Sequence, residues 1–162
     1  MLNKNVLVDR IIAELKKQKE EVERGLASAR TSAIEAPGAM QSHSDTTRSQ
    51  MEHLAENFER IILEKEVALR EFNDLKKSVD ISKESIDVGC VVEVVDEAGM
   101  HSFYFIALSA GGTQVMLDKT NPITVLSSTA PLAKALIGKK RGDLATYNIG
   151  NKTKSLTIVS VE

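Results

Sequence analysis

The chain contains no tryptophan, a single cysteine, three prolines and only six aromatic residues among its 162 positions. Each scarcity removes a class of protein. A lone thiol, Cys90, cannot close an internal disulfide, so a reducing cytoplasm is the expected compartment. No apolar run exceeds a few residues, far short of the roughly 20 that span a bilayer, and no membrane partner is expected. Residues 1–10 lack the basic start and apolar stretch of a signal peptide. With 21 basic and 23 acidic residues the net charge is −2, which gives no basic surface for nucleic acid; direct sequence-specific nucleic-acid binding is not expected. Catalytic constellations are missing as well. His43, His53 and His101 fall in three unrelated segments without ligand spacing, and Cys90 opens an apolar run as a small hydrophobe would. Gly111-Gly112 lacks the following helix and Lys-Ser/Thr of a phosphate loop. No enzyme is expected.

What is present is unevenly distributed. Residues 1–80 hold 28 charged side chains and two glycines, whereas residues 81–162 hold 16 and seven. Such a shift in texture marks two domains of different architecture.

In the first part, Val8, Ile12, Leu15, Lys19, Val22, Leu26, Ala29 and Ala33 recur at alternating steps of four and three. Met51, Leu54, Phe58, Ile61, Lys65, Ala68, Phe72 and Leu75 form a second such stripe. This period of 3.5 is that of a coiled-coil seam, and the polar remainder of each segment is a solvated face. Lys19 and Lys65 interrupt the stripes. Either their stems lie along the groove with the ammonium in water, or they fix the register of the pair. Between the stripes, Pro37 disfavours helix at Ala36 and Gly38 permits a turn. Asp45 or Thr47 could cap the second helix, with Gln50 completing a capping box after Thr47. The expectation for residues 1–77 is an antiparallel two-helix coiled-coil hairpin with its tip at about 34–46. Its arms of some 27–30 residues would be about 40–45 Å long. So long a hairpin has little core per residue, and reach is its natural purpose.

Residues 78–87 read as a linker, and residues 88–162 as a small β-rich domain. Short runs of branched and aromatic residues span 90–95, 102–108, 114–117, 123–126 and 156–161, separated by turn signals. Their spacing favours an antiparallel sheet. One short helix fits 130–137, with Pro131 in its first turn and Gly138 at its end. The fold class is therefore α+β. The basic run Lys139-Lys140-Arg141 follows that helix, where cations are favoured by its dipole; partner contact is the alternative.

The stretch Ile123-Thr124-Val125-Leu126-Ser127-Ser128-Thr129-Ala130-Pro131-Leu132-Ala133-Lys134-Ala135-Leu136-Ile137-Gly138-Lys139-Lys140-Arg141-Gly142-Asp143 resembles the C-terminal signature of the bacterial Gre transcript-cleavage factors. In that signature Ser-Pro-Ile/Leu-Ala-Lys/Arg-Ala-Leu-Ile-Gly-Lys is followed by Gly-Asp; Ala130 stands here in place of the serine. Val88-Gly89, Tyr104-Phe105-Ile106-Ala107 and the closing 156–161 also match. The resemblance covers about half the chain.

It implies an FKBP-like C-terminal domain that docks on RNA polymerase, and a hairpin that enters the polymerase's secondary channel to modulate transcription. Ala130, Pro131, Leu132 and Lys134 are the docking candidates it points to. In the family, acidic residues at the tip help hold a second magnesium ion, as suits a hard cation that prefers anionic oxygen ligands. Asp45 matches the family's tip aspartate and is the candidate ligand for an Mg2+ shared with the polymerase; the chain needs no cofactor of its own. Arg48 falls where the family has a glutamate three residues on, and Glu35 is the other tip carboxylate. A reversed charge beside a dication opposes metal binding. The expectation is thus a monomeric polymerase-binding factor with transcript-cleavage stimulation in question. Two other classes stand beside it. One is an FKBP-like prolyl isomerase, for which the aromatics of the second domain are few. The other is a coiled-coil interaction module that does not bind polymerase.

Overall fold

The computed structural model describes residues 4–35, 42–77, 84–116 and 121–162. Two long helices come first, α1 (Lys4–Glu35) and α2 (Ser42–Lys77). They are followed by β1 (Val91–Asp96), β2 (His101–Ala107), β3 (Gln114–Met116), β4 (Pro122–Ser127), a short helix α3 (Pro131–Leu136), β5 (Leu144–Ile149) and β6 (Lys152–Val161). The chain forms two compact units, Leu15–Leu69 by itself and Met1–Glu14 together with Arg70–Glu162. The ends of both long helices thus belong with the sheet.

The strands make one six-stranded sheet in the order β3-β4-β2-β1-β6-β5. An antiparallel sheet was the expectation from spacing, and one pair departs from it: β2 and β4 are parallel, with Phe103 opposite Ile123 and Ala107 opposite Ser127. No crossover helix is needed, because β3 carries the chain back and pairs antiparallel with β4 on its outer side. Strand β5 has no counterpart among the runs read from the sequence. Leu-Ala-Thr-Tyr-Asn-Ile is weakly apolar, and only Ala145 in it is fully buried. Its place comes from pairing with β6 from Leu144 opposite Thr157 to Ile149 opposite Lys152.

One face of the sheet packs under α3. Val92, Val94, Ile106, Ala145 and Ile158 meet Leu132, Ala133 and Leu136 there, joined by Ile86 and Cys90. Each large aliphatic side chain so enclosed contributes about 1.5–3 kcal/mol. Ile86 lies within the stretch 78–87 that reads as a linker, of which 78–83 fall outside the described residues. It is 1% exposed, and its backbone exchanges hydrogen bonds with Lys139 and Gly138. Chain entry into the sheet is therefore fixed by the same loop that ends α3.

The ends of the long helices tie onto this unit by named contacts. Phe72 and Phe105, both wholly buried, place their ring centroids 5.8 Å apart. The Arg10 guanidinium donates to the Met116 carbonyl at 2.6 Å, and the Ser109 hydroxyl donates to the Glu71 carboxylate. Gly89 has φ +89°, and a Cβ there would stand 3.2 Å from Leu75 Cδ2. Both the backbone conformation and the close approach require glycine at this point.

Candidate partner-binding surfaces

In the unit Leu15–Leu69 the two helices run antiparallel, since rising numbers in α1 meet falling numbers in α2. Gln18 and Lys19 face Lys65 and Glu66, and Gly25 faces Phe58; the long side chains of Arg30 and Glu59 also pair across the hairpin. The stripe positions turn inward only partly. Val22, Leu26, Met51, Phe58 and Ile61 are half-buried, and among the described residues of this unit the buried apolar ones besides Leu15 are the small Ala29, Ala55 and Ala68. Two helices alone cannot enclose large side chains on all sides.

The interrupting lysines are partnered across the hairpin. Lys19 Nζ lies 2.9 Å from Glu66 Oε1 and 3.4 Å from Glu23 Oε1, and Lys65 Nζ donates to Gln18 Oε1 at 2.7 Å. The hydrogen bond to Glu66 raises the Lys19 pKa above its ordinary 10.5; desolvation opposes this, and Glu23 reinforces it. These contacts form one polar layer across the hairpin.

The tip candidates are placed as follows. Glu35 is the last residue of α1 and is exposed. Arg48 is exposed, and its Nε lies 3.1 Å from Glu52 Oε1, one turn along α2. Asp45 is the fourth residue of α2; its side chain lies outside the described residues. The capping role read for Asp45 or Thr47 does not hold. The helix already begins at Ser42, so both positions have helical backbone, whereas a cap residue must stand outside the helix. The sequence offered small polar residues here without an apolar stripe, and from Ser42 onward they belong to the helix.

The docking candidates divide by exposure. Leu132 is buried in the core and Ala130 packs against it, so these two seat the helix. Pro131 and Lys134 are exposed. Ile137 follows at the same three-residue spacing with 36% exposure, and belongs to the same outward stripe. Its signal was present, because 132, 133 and 136 are the inward positions of one short helix turn. The N-cap residue Ala130 has extended backbone (φ −65°, ψ 145°) but no side-chain oxygen to cap with. The turn before it is braced instead by Ser127, whose hydroxyl meets the Thr129 hydroxyl at 2.9 Å and whose carbonyl accepts from the Ala130 N–H. In the basic run, Lys140 pairs with Glu84 at 3.4 Å, while Arg141 is exposed.

Of the histidines, His53 and His101 lie beside Glu56 and Glu93 on different elements. Among the described residues no three His, Cys, Asp or Glu side chains group as a metal site. Among the same residues no helix is long and apolar enough to cross a membrane.

The family described as transcription elongation factor GreA/GreB, C-terminal, matches residues 81–162, and the chain belongs to that family of RNA polymerase-associated transcription factors. It is 29% identical over 157 residues to the transcription elongation factor GreA of Streptococcus uberis, covering 91% of this chain and 92% of that one. To GreA of Streptococcus gordonii it is 23% identical over 155 residues, covering 93% and 92%. Among solved structures it is similar to the GreA factor homolog Gfh1 of Thermus thermophilus (18% identity, TM-score 0.37, 93% and 94% covered). Gfh1 of Thermus aquaticus gives 21% identity and a TM-score of 0.38, with 91% of each chain covered.

Proposed function

We propose that this protein docks on RNA polymerase through the loop and helix around Pro131 and inserts the tip of its α1–α2 hairpin into the secondary channel, modulating transcription without strong stimulation of transcript cleavage. The observation that carries the docking half is the outward pair Pro131 and Lys134 on α3, with exposed Ile137 just past its end, while the other side of the helix is locked into the core. A rigid seat with an exposed, singly charged face suits a protein partner. The cleavage half rests on the tip. Arg48 stands one turn from Asp45 on α2, and a cation beside the candidate carboxylate weakens any hold on a shared Mg2+. In this reading the protein supplies no active site of its own; it acts on the polymerase's chemistry.

The test is co-purification of the full-length protein with polymerase core enzyme, repeated with Lys134→Glu. Retention of the wild type and at least a fivefold loss for the variant are expected; absence of wild-type binding at low salt overturns the reading. In backtracked complexes the wild type is expected to cleave weakly, Arg48→Glu to cleave more, and Asp45→Ala to remove that gain. Strong cleavage by the wild type that survives Asp45→Ala refutes the tip assignment.

A further inference from the structure

Strands β2 and β4 run parallel and end side by side, with Ala107 opposite Ser127. The loop that leaves β2, residues 108–112, therefore lies beside the turn 128–130 that leads into α3. Ser127 ties the two together. Its hydroxyl donates to the Leu108 carbonyl at 3.2 Å and meets the Thr129 hydroxyl at 2.9 Å, and its carbonyl accepts from the Ala130 N–H. Further bonds brace both segments. The Ser128 N–H donates to the Ala107 carbonyl at 2.7 Å, and the Gly112 N–H donates to the Val125 carbonyl at 2.8 Å. The Ser109 hydroxyl donates to Glu71. The Gly111 backbone approaches so closely that a Cβ there would stand 3.1 Å from the Ser127 nitrogen. Ala110 takes φ +59°, and among the described residues it is the one non-glycine in the left-handed region. Such a conformation is unfavourable for alanine and persists where its surroundings impose it, often at a functional loop.

On this fixed backbone Leu108 stands 56% exposed. A large apolar side chain on so tightly braced a loop is presented in one place, so covering it costs little ordering entropy. We propose that Leu108 is the apolar anchor of the polymerase-docking surface, which continues from Pro131 and Lys134 across the Ser127 brace onto the loop 108–111. The assignment rests on the docking of α3 proposed above and deepens it by naming what the partner must offer: an apolar recess for Leu108 and a carboxylate for Lys134. The occupant is the same polymerase surface because the loop and the turn into α3 are continuous through Ser127. The N–H groups of Gly112, Thr113, Ser128 and Ala130 are all bonded within the domain, so side chains rather than backbone carry the recognition.

Binding of the full-length protein to polymerase core enzyme is measured at low and at high salt for the wild type, Leu108→Ser, Leu108→Met and Lys134→Glu. Leu108→Ser is expected to bind at least fivefold more weakly at both salts, because salt does not screen an apolar contact, and to melt at the wild-type temperature. Leu108→Met, which keeps the apolar surface, should stay within about twofold of the wild type. Lys134→Glu should lose most at low salt. If Lys134→Glu weakens binding while Leu108→Ser binds as the wild type does, the docking of α3 stands and the anchor is overturned. A Leu108→Ser defect that vanishes at high salt, that Leu108→Met shares, or that comes with a lower melting temperature overturns it too. If the wild type itself does not bind, the docking of α3 falls and the anchor falls with it.

Discussion

The same heptad pattern runs through both ends of the two long helices, yet the two compact units use it differently. Near the sheet, Leu7, Val8, Ile11, Ile12 and Phe72 are all buried, with Ile11 and Phe72 at 0% exposure. In the unit Leu15–Leu69 the equivalent large residues Phe58 and Ile61 stay half in water, and Leu63 and Val67 are exposed. A seam between two helices covers a side chain from two directions; complete burial of most large side chains needs a third element, which the sheet supplies at the helix ends. Periodicity therefore specifies which side of a helix faces its partner, whereas burial depends on what else is there.

This contrast can be broken experimentally. The largest expected effect is Phe72→Ala, which removes a fully buried ring packed on Phe105 and should cost about 3–5 kcal/mol by urea unfolding. Phe58→Ala, at a half-buried position, should cost less than half as much. Equal losses would mean that the distal hairpin carries a core as strong as the base.

A pair of glycines gives the next contrast. Gly89→Ala must place a Cβ at φ +89° and 3.2 Å from Leu75, for a loss of about 1–2 kcal/mol. Gly25 lies inside α1, where a Cβ would meet Phe58 Cζ at 3.0 Å. There the gain in helix propensity of about 1 kcal/mol opposes the displacement of a half-free ring, and Gly25→Ala should stay within about 1 kcal/mol of neutral. Thermal melts of both variants decide the matter.

Ala130→Ser should stabilise the sheet unit by about 0.5–1 kcal/mol, because the N-cap backbone is already extended and lacks only the oxygen. No gain in unfolding midpoint would show that the Ser127–Thr129 brace already replaces the cap. The smallest effect is the pH dependence of the polar layer. The folded pKa of Lys19 is raised, so the stability it contributes is fully present below pH 10.5 and is lost as pH rises through the folded value. Melts between pH 9 and 12 should show a steeper fall for the wild type than for Lys19→Gln; parallel curves would show that the Lys19 contacts do not contribute to stability.

Much of this architecture was legible in the residues. The two stripes placed both long helices, and the block Pro131–Asp143 placed α3 and the loops around it. Pro131 and Gly138 sit at the start and end of α3 because each suits the backbone required there: the proline ring holds the helical φ of the first turn, and Gly138 takes φ +83°. The fifth strand escaped notice because an edge strand needs few apolar residues, and the antiparallel partner supplies its hydrogen bonds. The parallel pair escaped because β3, only three residues long, is a weak local signal for a chain reversal. Among the candidate site residues, sequence could name Pro131, Leu132 and Lys134 but could not sort them. Which of three neighbours faces outward depends on how the helix sits on the sheet.

By itself the sequence determined the local periodicities, the breaks between elements and the family to which the chain belongs, because these depend on residues near one another along the chain. Tertiary structure alone decided three things. One is that the helix ends join the sheet unit through Phe72, Arg10 and Glu71. The second is that Lys19 and Lys65 meet partners across the hairpin. The third is that β6 extends past the end of β1 to pair with β5. Each of these joins residues far apart in the chain, where the free energy of contact depends on geometry that no local pattern encodes.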